Sequence, residues 1–310
     1  MQREPLPDIS TSDIAQIDAA MLRTWPLPVP SADGDKETRG HVLIIGGSVE
    51  MPGAIILAAT AALRAGAGKL SIATVASIAP MVASAIPDSR VVALEETAHS
   101  GVALEAVDRC SDLVDAADAI LIGPGMQDEN ACCEFTASLC VKLDQTKLIL
   151  DACAMPAIRS LRTKHKATDK RPAPPILLTP HAGEMAHLTG ADKQALLDNP
   201  EDAARNAARE WNALVALKGA NTVIAAPDGR AWLHAGGDIG LAVSGSGDTL
   251  AGIIAGLAAR GAPLEQAAAW GVFVHASAGE SLSRQFGRIG YLAREIPGKV
   301  PRLLERLGRD

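Results

Sequence analysis

Short apolar runs alternate with helical stretches along this chain, and this alternation restricts the possible folds more than any other feature. The runs are rich in β-branched residues, as strands buried on both faces are. They are HVLIIG (41–46), KLSIATV (69–75), VVAL (91–94), ADAILIG (117–123), KLILDA (147–152) and PILLTP (175–180). Strands that alternate with helices predict an α/β fold, with a mostly parallel central sheet and helices on both faces.

The later part of the chain predicts a mixed sheet edge. ALVALKG (213–219), TVIAAP (222–227) and AWLHA (231–235) look like neighbouring strands, the last two joined by the turn PDG. An antiparallel pair of this kind suits a sheet edge. Helices are expected around 53–68, 129–143, 183–188, 200–211, 248–260 and 264–286, with a short last piece before residue 301.

The first 40 residues differ from the rest. They are rich in proline and polar residues, which predicts an irregular N-terminal arm, with room for a short helix within DIAQIDAAMLRTW (13–25). Neither a linker nor an internal repeat follows. We therefore expect an arm over 1–40 and a single catalytic domain over 41–310.

Composition narrows the classes of function. The chain is 48% hydrophobic, which is enough for a sizeable core, and only 3% aromatic, which argues against a surface that stacks nucleic-acid bases. Five cysteines without a CxxC pair indicate reduced thiols and a cytoplasmic protein rather than a disulfide or metal framework. The apolar run 249–259 contains a GxxxG pattern, but it is roughly half the length that a membrane span needs.

Six clusters of glycine or polar residues follow apolar runs. In an open α/β sheet, ligands bind beyond the carboxyl ends of the strands, so these clusters are the places to look for a site. They are GGSVEMPGA, GPGM, DACAM, TPHAGE, KGANT and SGSGDT. The first is neither a P-loop nor a clean GxGxxG and is a weak phosphate signal, since a glycine-rich turn into a helix would look the same.

Two of the clusters carry charged side chains. Lys218 of KGANT follows an apparently buried strand, and it either reaches solvent at the strand end or contacts an anion. TPHAGEMAHL places His181, Glu184 and His187 at a spacing that is not HExxH, which excludes a zinc-protease site. His181 suits a loop as well as a ligand contact, and His187 is expected on an ordinary helix face.

SGSGDT is the most informative cluster. Gly245 and Gly247 permit close backbone approach, and the helix that follows offers unpaired amides and a positive dipole end, which together form an anion hole. Asp248 could simply cap this helix, but a cap does not require two flanking glycines. A carboxylate beside an anion hole makes sense as a base that takes a proton from a hydroxyl while that hydroxyl attacks a phosphoryl group.

Several motifs together resemble one family. They are GGSVEMPGAIILAATAALRAGAGKL, ADAILIGPGM, LTPHAGEMAHLTG, LKGANTVIAAPDG, SGSGDTLAGIIAGLAARG and GVFVHASAGE. In this order, over about residues 40 to 285, they resemble the ADP-dependent NAD(P)H-hydrate dehydratases, a carbohydrate-kinase-related family of the ribokinase-like superfamily. The resemblance implies a ribokinase-like three-layer sandwich.

The resemblance also implies a reaction and its ligands. The substrate would be NADH or NADPH hydrated at carbon 6 of the nicotinamide ring, and ADP, or ATP, would phosphorylate that hydroxyl before phosphate leaves. Ala54, Gly125 and His181 would line the hydrate site, and Asp248 would contact the reacting hydroxyl as the base. The nucleotide would be held by Gly247 and by Lys218, Gly219, Ala220, Asn221 and Thr222. Magnesium is expected as a counter-charge to phosphate, with no metal ligand assigned on the chain.

This sequence departs from the family pattern in places. Cys153 stands where a second aspartate is usual, Ala182 replaces a proline, and AVSGSGD replaces a more typical ATGGTGD. The family implies a homo-oligomer, often a tetramer, and the short segment before the first strand suggests a stand-alone form without an epimerase domain. The alternatives are a small-molecule kinase of the same fold, of the hydroxymethylpyrimidine or hydroxyethylthiazole type, and a non-catalytic nucleotide-binding regulator.

Overall fold

A central sheet organises the chain, which a computed structural model describes over residues 14–29, 36–143, 145–161 and 174–308. Within this part the sheet has ten strands in the order β1-β10-β9-β8-β7-β6-β5-β2-β3-β4. Their bounds are β1 Ile14–Gln16, β2 His41–Ile45, β3 Lys69–Val75, β4 Arg90–Leu94, β5 Ala119–Ile122, β6 Lys147–Leu150, β7 Ile176–Leu178, β8 Leu214–Leu217, β9 Thr222–Ala225 and β10 Ala231–His234. Strand β9 is antiparallel to both of its neighbours, and the other pairs are parallel.

The predicted mixed sheet is therefore confirmed, with the antiparallel strand at 222–225 where the hairpin was expected. All four residues of β5 are fully buried, and successive side chains of a strand point to opposite faces. Both faces of the sheet are covered as a result. This burial explains why the central strands are continuous apolar runs rather than alternating ones.

The helices cover the sheet in two groups. Their bounds are α1 Ala19–Arg23, α2 Pro52–Arg64, α3 Ala79–Ala85, α4 Ser111–Asp115, α5 Glu129–Cys140, α6 Ala182–Thr189, α7 Lys193–Asp198, α8 Pro200–Trp211, α9 Ser246–Ala259, α10 Leu264–Phe286 and α11 Val300–Gly308. In one group, α2, α9, α10 and α11 pack on each other. The other group includes α5, which packs against the short turn Ala152–Ala157, and α6 to α8. 

The GxxxG pattern of α9 serves helix packing inside the fold. A side chain at Gly252 would overlap the carbonyl oxygen of Ala58, and one at Gly256 would lie 2.5 Å from that of Ala62, both in α2. The two helices therefore run in the same direction in backbone contact. None of the described helices is both long enough and apolar enough to cross a membrane.

Two parts of the chain differ from the sequence-based expectation. The short helix expected in the arm begins only at Ala19, and Ile14–Gln16 before it forms strand β1, which pairs with the edge strand β10. Trp25 then stacks on Trp232 with ring centroids 6.0 Å apart. The short last piece expected before residue 301 is instead a helix over Val300–Gly308, which places a proline in its first turn, where proline is tolerated. Residues 1–13 and 30–35 of the predicted arm lie outside the described residues.

Candidate active site

The clusters TPHAGE and KGANT lie side by side at the carboxyl edge of the sheet. His181, which follows β7, forms a parallel bridge with Lys218, which follows β8. The Lys218 amide donates to the carbonyl oxygen of Pro180 at 2.7 Å. Adjacent parallel strands end at the same edge, so the fold brings together two motifs that are far apart in the sequence.

Lys218 is the centre of a buried group of charges. Its Nζ lies 3.2 Å from Oδ1 of Asp151 and 3.9 Å from Oε2 of Glu184, and the exposed fractions of these side chains are 18%, 4% and 24%. Thr179 donates from Oγ1 to the same Asp151 oxygen at 2.6 Å. Burial disfavours the ammonium, but the surrounding carboxylates outweigh burial and raise the pKa of Lys218 above its ordinary value. Lys218 is therefore a fixed cation near the sheet edge, and the alternative of a free solvent-exposed lysine is wrong.

The pKa of Asp248 is raised above its ordinary value. Burial and the nearby charge of Asp151 raise its pKa from 3.8 to about 6, against the attraction of Lys218. It lies in the first turn of α9, whose N-cap residue is Gly245, so Asp248 does not cap this helix. A carboxyl with a pKa near neutrality can both take up and release a proton under physiological conditions.

The glycines before Asp248 shape the start of α9. Gly245 has φ +89°, a conformation that favours glycine, and a side chain there would meet Leu57 of α2. A side chain at Gly247 would come within 3.3 Å of Lys218 Nζ. The first amides of a helix have no partner within it, so this bare helix start beside a cation offers the features of an anion site.

The structure brings Ala54 next to Gly125. Gly125 has φ +68°, and a Cβ built there would lie 2.8 Å from the Cβ of Ala54. Helices α2 and α9 touch at Ala58 and Gly252. Ala54 of α2 and Asp248 of α9 each lie one turn before this contact, so both are at the same end of the helix pair. Ala54 and Gly125, which the resemblance assigns to the hydrate site, therefore lie at the same edge of the sheet as the predicted base Asp248.

His181 has a structural task besides any ligand contact. Its Nδ1 accepts hydrogen bonds from the amides of Gly183 at 3.0 Å and Glu184 at 3.2 Å, and the Glu184 carboxylate accepts from the His181 amide at 2.8 Å. This reciprocal pair is a capping box that starts α6. Because Nδ1 is an acceptor, the hydrogen of the neutral ring is on Nε2, and more than half of the side chain is exposed to a ligand.

The other predicted residues lie at the surface of the same edge. Residues 219–221 are exposed between β8 and β9, and Thr222 opens β9. His187 is on the outer face of α6, where its Nε2 lies 3.1 Å from Oε1 of Glu129, as expected for an ordinary helix-face residue. 

Cys153 lines a cleft of about 370 Å³ between Glu129 and Glu184. The neighbouring Cys132 thiol lowers the pKa of Cys153, against the effect of burial. Among the described residues, no group of three or more His, Cys, Asp or Glu side chains is arranged to hold a metal ion.

Sequence reasoning missed several members of this site. The sequence patterns assign no role to Asp151 of DACAM or to Glu184 of TPHAGE. The available signal was an aspartate directly after a buried strand, the position where site residues of α/β proteins concentrate. Thr179 and His275 also contact residues of the site, Asp151 and Ser246, and these contacts are visible only in the folded structure.

The fold is ribokinase-like. A ribokinase-like superfamily protein from Enterococcus faecalis has a TM-score of 0.77 at 24% identity, covering 96% of this chain and 97% of that one. The family model for the NAD(P)H-hydrate dehydratases matches residues 42–302. An ADP-dependent (S)-NAD(P)H-hydrate dehydratase from Xanthomonas campestris is 48% identical over 96% of this chain and 98% of its own length.

A solved structure adds to these similarities. It is the ADP/ATP-dependent NAD(P)H-hydrate dehydratase from Bacillus subtilis, co-crystallized with ATP/Mg²⁺, with a TM-score of 0.80, 29% identity and coverage of 95% and 99%. The chain belongs to the NAD(P)H-hydrate dehydratase family, as the resemblance of its motifs indicated.

Proposed function

We propose that this protein repairs nicotinamide nucleotides by the ADP-dependent dehydration of the (S)-hydrate of NADH or NADPH. The observation that carries the proposal is Asp248, a carboxyl with a pKa raised to about 6 at a glycine-flanked helix start beside the cation Lys218. The similar Xanthomonas protein bears the name of this activity. The kinase alternative is not favoured, because the family match is to dehydratases.

The first step would be phosphoryl transfer. Asp248 accepts the proton of the carbon 6 hydroxyl as the hydroxyl oxygen forms a bond to the terminal phosphorus of ADP. The bond from that phosphorus to the bridging oxygen breaks, and AMP leaves. The amides at the start of α9 and the ammonium of Lys218 face the negative charge that develops on the transferred group, where preorganised donors are most effective.

The second step would be elimination. Phosphate leaves carbon 6 with the electrons of the carbon–oxygen bond, and the neighbouring ring carbon loses a proton, which restores the double bond of the reduced nicotinamide. Phosphate is a far better leaving group than hydroxide, so one phosphoryl group drives the dehydration. The protons taken from the hydroxyl and the ring carbon pass to phosphate and solvent, so the net reaction consumes the hydrate and ADP and yields NAD(P)H, AMP, phosphate and one proton.

The residues fit a nucleotide that brings its own magnesium ion. Magnesium in phosphoryl-transfer sites is commonly held by one or two carboxylates together with phosphate oxygens and water. Glu184 and Asp151 lie beside Lys218 and would be the carboxylates nearest to such an ion. Gly247 and residues 218–222 would hold the nucleotide, and the ion would supply charge neutralisation on its phosphates.

We also infer a cytoplasmic homo-oligomer, with a tetramer as the expected form. All five cysteines are free, which suits a reducing compartment.

The inferred oligomer has exposed apolar side chains available for an interface. They lie near the C-terminal third of the chain, among them Ile239, Phe286 and Ile289. Light scattering of the purified protein measures the assembly, and a monomeric mass would contradict it.

The test is recovery of the reduced nicotinamide. The protein is incubated with Mg²⁺, hydrated NADH and ADP, and the absorbance band of NADH is followed. Asp248→Asn should lower kcat about 10²- to 10⁴-fold, the contribution typical of a general base. Asp228→Asn, a carboxylate in the turn after β9, is the matched control and should retain activity. Absence of ADP-dependent recovery in the wild type would refute the proposal, and full activity of Asp248→Asn would refute the role of this base.

A further inference from the structure

His275 contacts the start of α9 from the neighbouring helix α10. Its side chain is buried, at 8% exposure, and Nε2 lies 3.1 Å from Oγ and 3.1 Å from the carbonyl oxygen of Ser246. Ser246 is the first residue of α9 and stands between Gly245 and Gly247. A ring from another helix therefore holds the central residue of the glycine-rich sequence.

The hydrogen position on the ring follows from its surroundings. Burial lowers the pKa of His275 to about 4, and the nearby charge of Lys218 acts in the same direction. The ring is neutral at pH 7 and has a single N–H. A carbonyl oxygen only accepts, so the nitrogen that faces Ser246 must be the one that bears hydrogen. Nε2–H thus donates to Ser246.

The start of α9 needs an external constraint. Its N-cap, Gly245, provides no side-chain hydrogen bond, and glycines flank Ser246 on both sides. Glycine gives the backbone more conformations than any other residue, so this turn has little order of its own. The neighbours that limit it include Leu57 of α2, which lies beside Gly245, and His275 of α10.

We propose that His275 is a positioning residue, which holds the first turn of α9 in the geometry that receives the phosphoryl group. It acts through Ser246 and does not touch the reacting atoms. Donors are effective only when they are already in place, and a misplacement of about 1 Å can cost on the order of 10² in rate. The role in turnover rests on the proposed function, whereas the ordering of the helix start does not.

The test compares three variants. His275→Phe fills similar space without a donor, and His275→Gln keeps a neutral N–H donor. Trp270→Phe is the matched control, because Trp270 lies in the same helix and its ring N–H also donates to a buried backbone carbonyl, that of Trp25, at 2.8 Å. Each variant is assayed for kcat, KM for ADP, melting temperature and amide hydrogen exchange over residues 243–250.

The expected pattern is specific to His275. His275→Phe lowers kcat about 10- to 100-fold with little change in KM for ADP, and His275→Gln recovers most of the loss. Amide exchange at the start of α9 becomes about tenfold faster in His275→Phe, as expected for one lost hydrogen bond. Trp270→Phe melts earlier but keeps its kcat and its exchange rates over 243–250.

Other outcomes overturn the inference. A His275→Phe variant that keeps the kcat of the wild type would overturn it. Equal losses of kcat in His275→Phe, His275→Gln and Trp270→Phe would also overturn it, because they would indicate a general loss of stability. Absence of ADP-dependent turnover in the wild type refutes the proposed function alone. Unchanged amide exchange in His275→Phe refutes the positioning role whatever the activity.

Discussion

Asp248→Asn should make the protein more stable while it removes the base. In the folded chain burial and Asp151 raise the pKa of Asp248 from 3.8 to about 6, so the ionised carboxylate opposes folding at neutral pH. A difference of this size corresponds to at most about 3 kcal/mol. Asp248 is partly exposed, and solvent screening reduces the expected gain in the free energy of unfolding to about 1–2 kcal/mol.

The pH dependence of this gain tests the cause. A raised carboxyl pKa means that the folded state binds more protons between pH 3.8 and about 6, so wild-type stability falls as the pH rises through this window. Asparagine resembles the protonated acid, so the variant should gain little below pH 3.8 and nearly the full amount above about pH 6. Urea unfolding of both proteins at several pH values measures the difference.

A matched variant should show the opposite sign. Burial opposes the charge of Asp228, but hydrogen bonds from Arg230 together outweigh it and lower the pKa of Asp228. Asp228→Asn should therefore lose stability at neutral pH. A gain for Asp248→Asn that is independent of pH, or a loss above pH 6, would refute the assignment of a strained carboxylate at the start of α9.

Three further perturbations have defined outcomes. The kcat/KM of the wild type should fall tenfold per pH unit below about 6, since the base must be ionised; a flat profile from pH 7 to 5 would contradict this. Lys218→Met leaves the carboxylate of Asp151 buried without its cationic partner, which should lower the free energy of unfolding in urea by about 3–5 kcal/mol. The same variant should move the midpoint of the pH profile upward, because Lys218 lowers the pKa of Asp248. Gly252→Ala forces a side chain onto the backbone of α2 and should cost about 1–3 kcal/mol, whereas Gly298→Ala, which meets open space, should be nearly neutral in thermal denaturation.

Local patterns were sufficient for most of the fold. Apolar runs predicted β2 to β10, because the inner strands of the sheet are buried on both faces and are therefore mostly apolar. Strand β1 could not be found in this way. It is three residues long, and its partner β10 lies more than 200 residues later in the chain. Only the tertiary pairing makes a strand of it.

The site was predictable where a motif carries its own chemistry. SGSGDT indicated the helix start and the carboxylate, and the structure places Lys218 beside Gly247. The raised pKa of Asp248 was not predictable, because it depends on burial of the side chain in the fold and on the charge of Asp151, which is 97 residues away in the sequence. His275 lies within the apolar face of a long buried helix, and its contact with Ser246 follows from helix packing rather than from any local pattern.

The glycine contact between α2 and α9 has a mechanical consequence. Two helices whose backbones touch cannot slide or tilt against each other without breaking the contact, so Ala54 and Asp248, one turn beyond it, keep a constant separation. The residues proposed to contact the hydrate and its reacting hydroxyl would therefore keep a fixed arrangement throughout a catalytic cycle. A movement that admits or releases a ligand is then expected in the exposed loop 219–221 rather than between these two helices.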